Sequence, residues 1–91
     1  MPDGYILYNS FTMKTMPCKQ LAGACDLEFH AETFDEMARM SQQHGMEMFQ
    51  KGDTAHLAAQ QEMMKMMSDP DAMQKWMDEK RKEFDTLPED K

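Results

Sequence analysis

The sequence predicts an α+β fold, a short antiparallel β-hairpin followed by three helices, and three observations predict it. Two short segments between residues 13 and 31 place apolar side chains at every second position, the period of a half-buried strand. A capping pair, Thr33 and Glu36, then opens a stretch whose apolar residues recur at helical spacing. Two further segments of strong helix formers follow, each bounded by cap and breaker residues.

Composition limits what such a fold can do. Ninety-one residues suffice for one small domain with a thin core, so a staple such as a metal or a partner would help it hold together. Ten Lys plus Arg against seventeen Asp plus Glu give a net charge of −7. This argues against nucleic acid or anionic lipid as partner, because both require a basic footprint. The apolar runs fall short of the roughly 20 residues that span a bilayer, and the first residues lack a basic then apolar signal pattern. The chain reads as soluble and cytoplasmic, with no membrane partner. Its two cysteines then read as free thiols or thiolate ligands, with a Cys18 to Cys25 disulfide as the alternative in an oxidising compartment.

Residues 1–12 read as an extension, because Pro2, Asp3 and Gly4 favour a turn and the apolar residues that follow have no clear period. A loose leader is expected there, or an added edge strand through residues 5–8. Residues 13–88 read as a single small α+β domain. Its first strand covers residues 13–18, with Met16 and Cys18 on one face, and Pro17 makes it an edge strand. The chain turns through Gly23. A second strand over residues 25–31 then puts Cys25, Leu27, Phe29 and Ala31 on one face and Asp26, Glu28 and His30 on the other.

The first helix begins after Thr33. Phe34, Met37, Ser41, His44 and Met48 form one stripe, so His44 faces the sheet. Lys51 and Gly52 are the C-terminal signal, a cation in the last turn and a glycine for the left-handed cap. Asp53 or Thr54 caps the second helix, residues 55–67. Ser68 ends it, and Asp69 with Pro70 starts the third. There Met73, Trp76, Met77, Lys80 and Phe84 mark one side. Gly45 lies inside the first helix, where it costs about 1 kcal/mol relative to Ala. Either a close approach of the hairpin requires it, or it simply weakens the helix.

A hairpin of this kind carries Cys18 and Cys25 at the two rims of its turn, and the stripe brings His44 to the same side. Thiolate and imidazole are the donors of zinc sites, so Cys18, Cys25 and His44 are the candidate metal ligands. A fourth position is left to His30, Asp26, His56 or water, although His30 sits on the strand face opposite Cys25. His56, near a helix start, otherwise reads as a solvent-facing or capping residue. The six residues between the cysteines exceed the usual zinc knuckle, and buried thiols with a hydrogen-bonded core histidine are the structural alternative.

The pattern Cys18, Leu21-Ala22-Gly23, Cys25-Asp26-Leu27-Glu28-Phe29, Glu32-Thr33, Asp35-Glu36 and His44 resembles a family of small bacterial and archaeal proteins of unknown function, described as predicted small metal-binding proteins. The resemblance covers roughly residues 13–50. It implies metal binding at Cys18, Cys25 and His44. Members of that family often carry a second histidine about five residues after the first, where this chain has Met48 and Phe49. The helical tail beyond Gly52 lies outside the resemblance.

That tail is rich in methionine. Thirteen of the ninety-one residues are Met, and Met63, Met64, Met66 and Met67 occupy much of one helix's circumference. Thioethers are soft ligands suited to Cu(I), which makes copper handling one reading. Flexible methionines at helical spacing more often make core or contact surfaces, so an apolar surface anchored by Trp76 is expected, used for self-association or for a partner helix.

The sequence thus predicts a small metal-binding protein, with zinc as the cofactor in a structural or reservoir role. The competing class is an interaction module that uses Met-rich amphipathic helices without metal. An enzyme is not expected: a general base such as Asp26 or His30 would be needed beside an open metal position, and no pattern fixes that geometry.

Overall fold

The computed structural model describes residues 13–90; the expectations for residues 1–12 lie outside the described residues. Within them the order is strand β1 (Lys14–Pro17), a 3-10 turn (Cys18–Leu21), strand β2 (Glu28–Ala31), then helices α1 (Phe34–Lys51), α2 (Thr54–Met67) and α3 (Pro70–Thr86). The predicted hairpin and three helices are the observed architecture. The strands pair antiparallel in the register Lys14 to Ala31 through Pro17 to Glu28.

Both strands are shorter than expected, and the reason is local. The backbone N–H groups of Cys18 and Lys19 donate to the carbonyls of Leu27 (2.7 Å) and Cys25 (3.0 Å), which draws residues 25–27 around the turn instead of along a ladder. Cys18 therefore sits in the 3-10 turn and Cys25 in the loop. Leu27, expected on the buried face, is half exposed. The left-handed residue of the turn is Ala22, at φ 71°, and not Gly23. Gly23 is needed for room: a Cβ there would come within 2.1 Å of the Cys18 sulfur.

The hairpin's inner face supplies Met16, Phe29 and Ala31 to the core, where Cys18, Leu21, Phe34, Met37 and Phe84 complete the buried cluster. Helix α1 is placed by its capping box. The Thr33 hydroxyl accepts from the Glu36 N–H, and the Glu36 carboxylate accepts from the Thr33 N–H. Its other end closes on Gly52 at φ 70°, as Lys51-Gly52 predicts. Asp53, of the two expected caps, caps α2, and Asp69 caps α3, accepting from the Asp71 and Ala72 N–H groups.

Helix α3 returns to the hairpin. Phe84 meets Phe34 edge to face at 6.1 Å, and the Lys14 ammonium donates to the carbonyls of Phe84 and Asp85 at that helix's end. Arg81 reaches Asp35 on α1 at 3.0 Å. Gly45 also finds its contact, though not with the hairpin: the Gln60 amide of α2 donates to its carbonyl at 2.9 Å. Helix α2 has only one buried residue, His56. No helix among the described residues is long and apolar enough to cross a membrane.

Candidate metal centre

Four side chains from four segments meet where the hairpin's turn, α1 and α2 come together. One ligating atom from each of Cys18, Cys25, His44 and His56 lies within 4.8 Å of the other three. The 3-10 turn holds Cys18, the following loop holds Cys25, the core-facing stripe of α1 holds His44, and the first turn of α2 holds His56. Cys18, His44 and His56 are buried and Cys25 is partly exposed; both cysteines are free thiols.

The histidines are oriented by their neighbours. His56 Nδ1 lies 2.5 Å from the Asp53 carboxylate, the same group that accepts from the His56 backbone N–H as the cap of α2. A carboxylate at Nδ1 keeps the proton there and leaves Nε2 as the lone-pair nitrogen. That nitrogen faces Cys18 Sγ at 3.6 Å, while His44 Nε2 faces Cys25 Sγ at 3.4 Å. Two ring contacts fix His44: an edge-to-face contact with Phe29 at 5.7 Å on the hairpin side, and another with His56 at 5.1 Å on the α2 side.

Two of the ligand-to-ligand distances match the edge of a tetrahedral ion. With zinc bonds of about 2.3 Å to sulfur and 2.0 Å to nitrogen, the sulfur to nitrogen edge of a tetrahedron is roughly 3.5 Å. The two Cys to His distances, 3.6 and 3.4 Å, bracket that value. Charge points the same way. Burial pushes the Cys18 thiol above its ordinary value against backbone hydrogen bonds from Cys25 and Ala24 that pull it down, and the Cys25 side chain adds to the rise by hydrogen bonding and by charge; a cation between the two sulfurs would relieve that repulsion. The hydrogen bonds from the His56 ring and backbone hold the Asp53 carboxyl below its usual range. The arrangement can hold a metal ion through two thiolates and two imidazoles.

The three predicted ligands, Cys18, Cys25 and His44, are thus brought together, and of the residues considered for a fourth position the structure brings in His56. The solvent-facing reading of His56 is corrected: it is buried, because Asp53 caps α2 one turn back and rolls the imidazole under α1. Asp26 is turned outward to an exposed ion pair with Lys19 at 2.7 Å. His30, on the outer strand face as its register requires, bonds to the Thr15 hydroxyl at 2.7 Å and lies 3.3 Å from Asp90. The sequence signal for His56 is the three-residue step from Asp53, which lets one carboxylate cap the helix and orient the ring.

Of the predicted apolar surface, Met64 and Met67 are exposed and Met63 and Met66 half-buried. Trp76 is half-buried, with the Lys80 ammonium 5.8 Å from its ring centre. Comparison of the chain with family models, with curated proteins and with solved structures returns no match.

Proposed function

We propose that this chain is a small zinc-binding protein whose ion is held by Cys18, Cys25, His44 and His56 in a structural or reservoir role. One observation carries the reading: four soft or borderline donors, from segments up to 38 residues apart, converge to within 4.8 Å. Two thiolates and two imidazoles are a zinc donor set, and the carboxylate behind His56 is the usual support of a ligating histidine. Four protein ligands close the coordination sphere, which favours holding an ion over activating a water on it. The resemblance of residues 13–50 to predicted small metal-binding proteins agrees with this, with His56 in place of the second helical histidine of that family. On this reading the protein is not an enzyme and works in the cytoplasm.

The test is elemental analysis of protein purified without a metal-affinity tag, together with a thiol count before and after chelation. About one zinc per chain is expected, with both thiols protected until the chelator is added. Cys18→Ser combined with His44→Ala is expected to abolish it. Absence of stoichiometric metal in the parent protein, with both thiols freely reactive, would overturn the reading.

A second reading has one observation of its own. Met46, Phe49, Met64 and Met67 are each more than half exposed, a large apolar area for so small a chain. Self-association or capture of a partner helix through these residues would explain them, and sedimentation at increasing concentration would detect the former.

A further inference from the structure

A cavity of about 550 Å³ opens beside the metal centre, with a mainly apolar wall interrupted by Ser41, Gln42, Gln50 and Gln60. Three of the four ligands, Cys18, His44 and His56, face it. So do four methionines drawn from all three helices: Met46 on α1, Met63 and Met67 on α2, and Met73 on α3. Among the described residues, no Asp, Glu, Lys or Arg lines it. Exposure falls along this wall. Met46 and Met67 are 64% and 58% exposed, Met63 and Met73 are half-buried, and Cys18, His44 and His56 are buried.

This composition selects a class of cation. A hard divalent ion is held mainly by carboxylates and finds none among the described lining residues, only the neutral amides of Gln42, Gln50 and Gln60. Zinc gains little from a neutral thioether. A soft monovalent ion is suited to thioether sulfur and needs no charged ligand. Methionine's unbranched, flexible side chain suits it to adjust its sulfur to an ion in such a cavity. The chain's net charge of −7 raises the concentration of any cation at its surface. Two thiolates and two imidazoles at the inner end bind such an ion more strongly than thioethers do.

We propose that the cavity lined by Met46, Met63, Met67 and Met73 is a second metal site, a thioether site for Cu(I) beside the zinc centre. It goes beyond the metal-binding reading and does not rest on it: the thioethers take the ion without displacing zinc and without a change of oxidation state.

Silver(I) is the redox-inert probe. Metal-free protein carrying ¹³C-labelled methionine methyl groups is titrated with Ag(I) and followed by NMR, with zinc stoichiometry measured separately. The first equivalent is expected at the thiols. The second should shift the methyl signals of Met46, Met63, Met67 and Met73 while leaving those of exposed Met40 and Met64 in place. Met63→Leu with Met67→Leu keeps the apolar volume, so it should still hold one zinc but bind the second Ag(I) at least tenfold more weakly. Shifts spread equally over Met40 and Met64, or undiminished affinity in the double variant, would overturn the thioether site. Failure to bind zinc would sink the proposed function alone, because the silver titration does not depend on it.

Discussion

Helices α1 and α2 both present an inward face to the metal centre, yet they are held there by different means. Helix α1 buries Phe34, Met37 and His44, and two of these belong to a continuous apolar core with the hairpin and Phe84. Helix α2 buries His56 alone, and most of its methionines are exposed or half-exposed. The difference is one of cross-link against core. A helix of fourteen residues with one buried side chain is marginal by itself, so besides its contacts with α1 and α3 its position depends on the Asp53 cap, the Gln60 bond to Gly45 and the His56 ligand. Metal at the centre would therefore act on α2 as a staple and on α1 as an addition.

The most severe test of that contrast is removal of the metal. Chelation is expected to lower the melting temperature by more than about 10 °C, since structural zinc contributes folding free energy directly and each 1 kcal/mol moves a domain of this size by roughly 4–8 °C. Hydrogen exchange should show where the loss falls: the amides of α2 lose protection first, while those of α1 and the hairpin keep theirs. Equal loss in both helices would mean that the core, and not the ligand, holds α2.

The reverse perturbation strikes the core and spares the staple. Met37 is fully buried between α1 and the hairpin, and Met37→Ala should cost about 2–5 kcal/mol. In denaturant unfolding the cost is expected to be the same with and without chelator, because Met37 belongs to the apolar core and is not one of the four clustered donors. A cost that halves on chelation would show core and centre to be one cooperative unit.

Much of this contrast is legible in the sequence, and its illegible parts have physical reasons. The α1 stripe of Phe34, Met37, Ser41 and His44 is read correctly because a packed helix face repeats at a fixed period. The capping box at Thr33, the glycine cap at Gly52 and the Asp69-Pro70 start are read for a similar reason: they are local chemistry that tertiary structure rarely overrides. Strand β2 is overextended because Cys25 and Leu27 fit the alternation, and only the bonds from Cys18 and Lys19 to the opposite carbonyls take them out of the ladder. His56 is the larger ambiguity, one of the candidates for the fourth position and otherwise read as solvent-facing or capping. A helix with almost no buried stripe gives no period from which to choose a facing side, so the choice between ligand and exposed residue is made by the angle between α1 and α2, which no local pattern encodes.

Asp53 separates a cap from a ligand's support, since one carboxylate does both. Asp53→Asn keeps a good N-cap but loses the negative charge at His56 Nδ1, so metal affinity should fall about 10- to 100-fold. Without metal, Asp53→Asn should lose only the charge's contribution to stability near neutral pH. Asp53→Ala removes the cap as well and should be the less stable of the two variants. The pH dependence has a definite sign. Asp53 is held below its ordinary value of 3.8, so its stabilising contribution is present above that pH and is lost as pH falls through the depressed folded value. Parent and Asp53→Asn proteins should therefore converge in stability in acid. Curves that stay parallel would deny the charge any role.

The smallest effect is expected at the turn that joins the two helices. Gly52 has φ 70°, and a Cβ there would meet no atom of the described residues within 4 Å, so Gly52→Ala costs backbone strain, about 1 kcal/mol. Gly52→Asn should cost less, because asparagine tolerates the left-handed conformation. Zinc affinity should stay within about threefold of the parent in both variants, since the strain is present equally in the metal-free and metal-bound forms and cancels from the binding free energy. A tenfold loss of affinity at unchanged ligands would reverse the contrast: the turn, and not the cluster, would then set the angle at which α2 delivers His56.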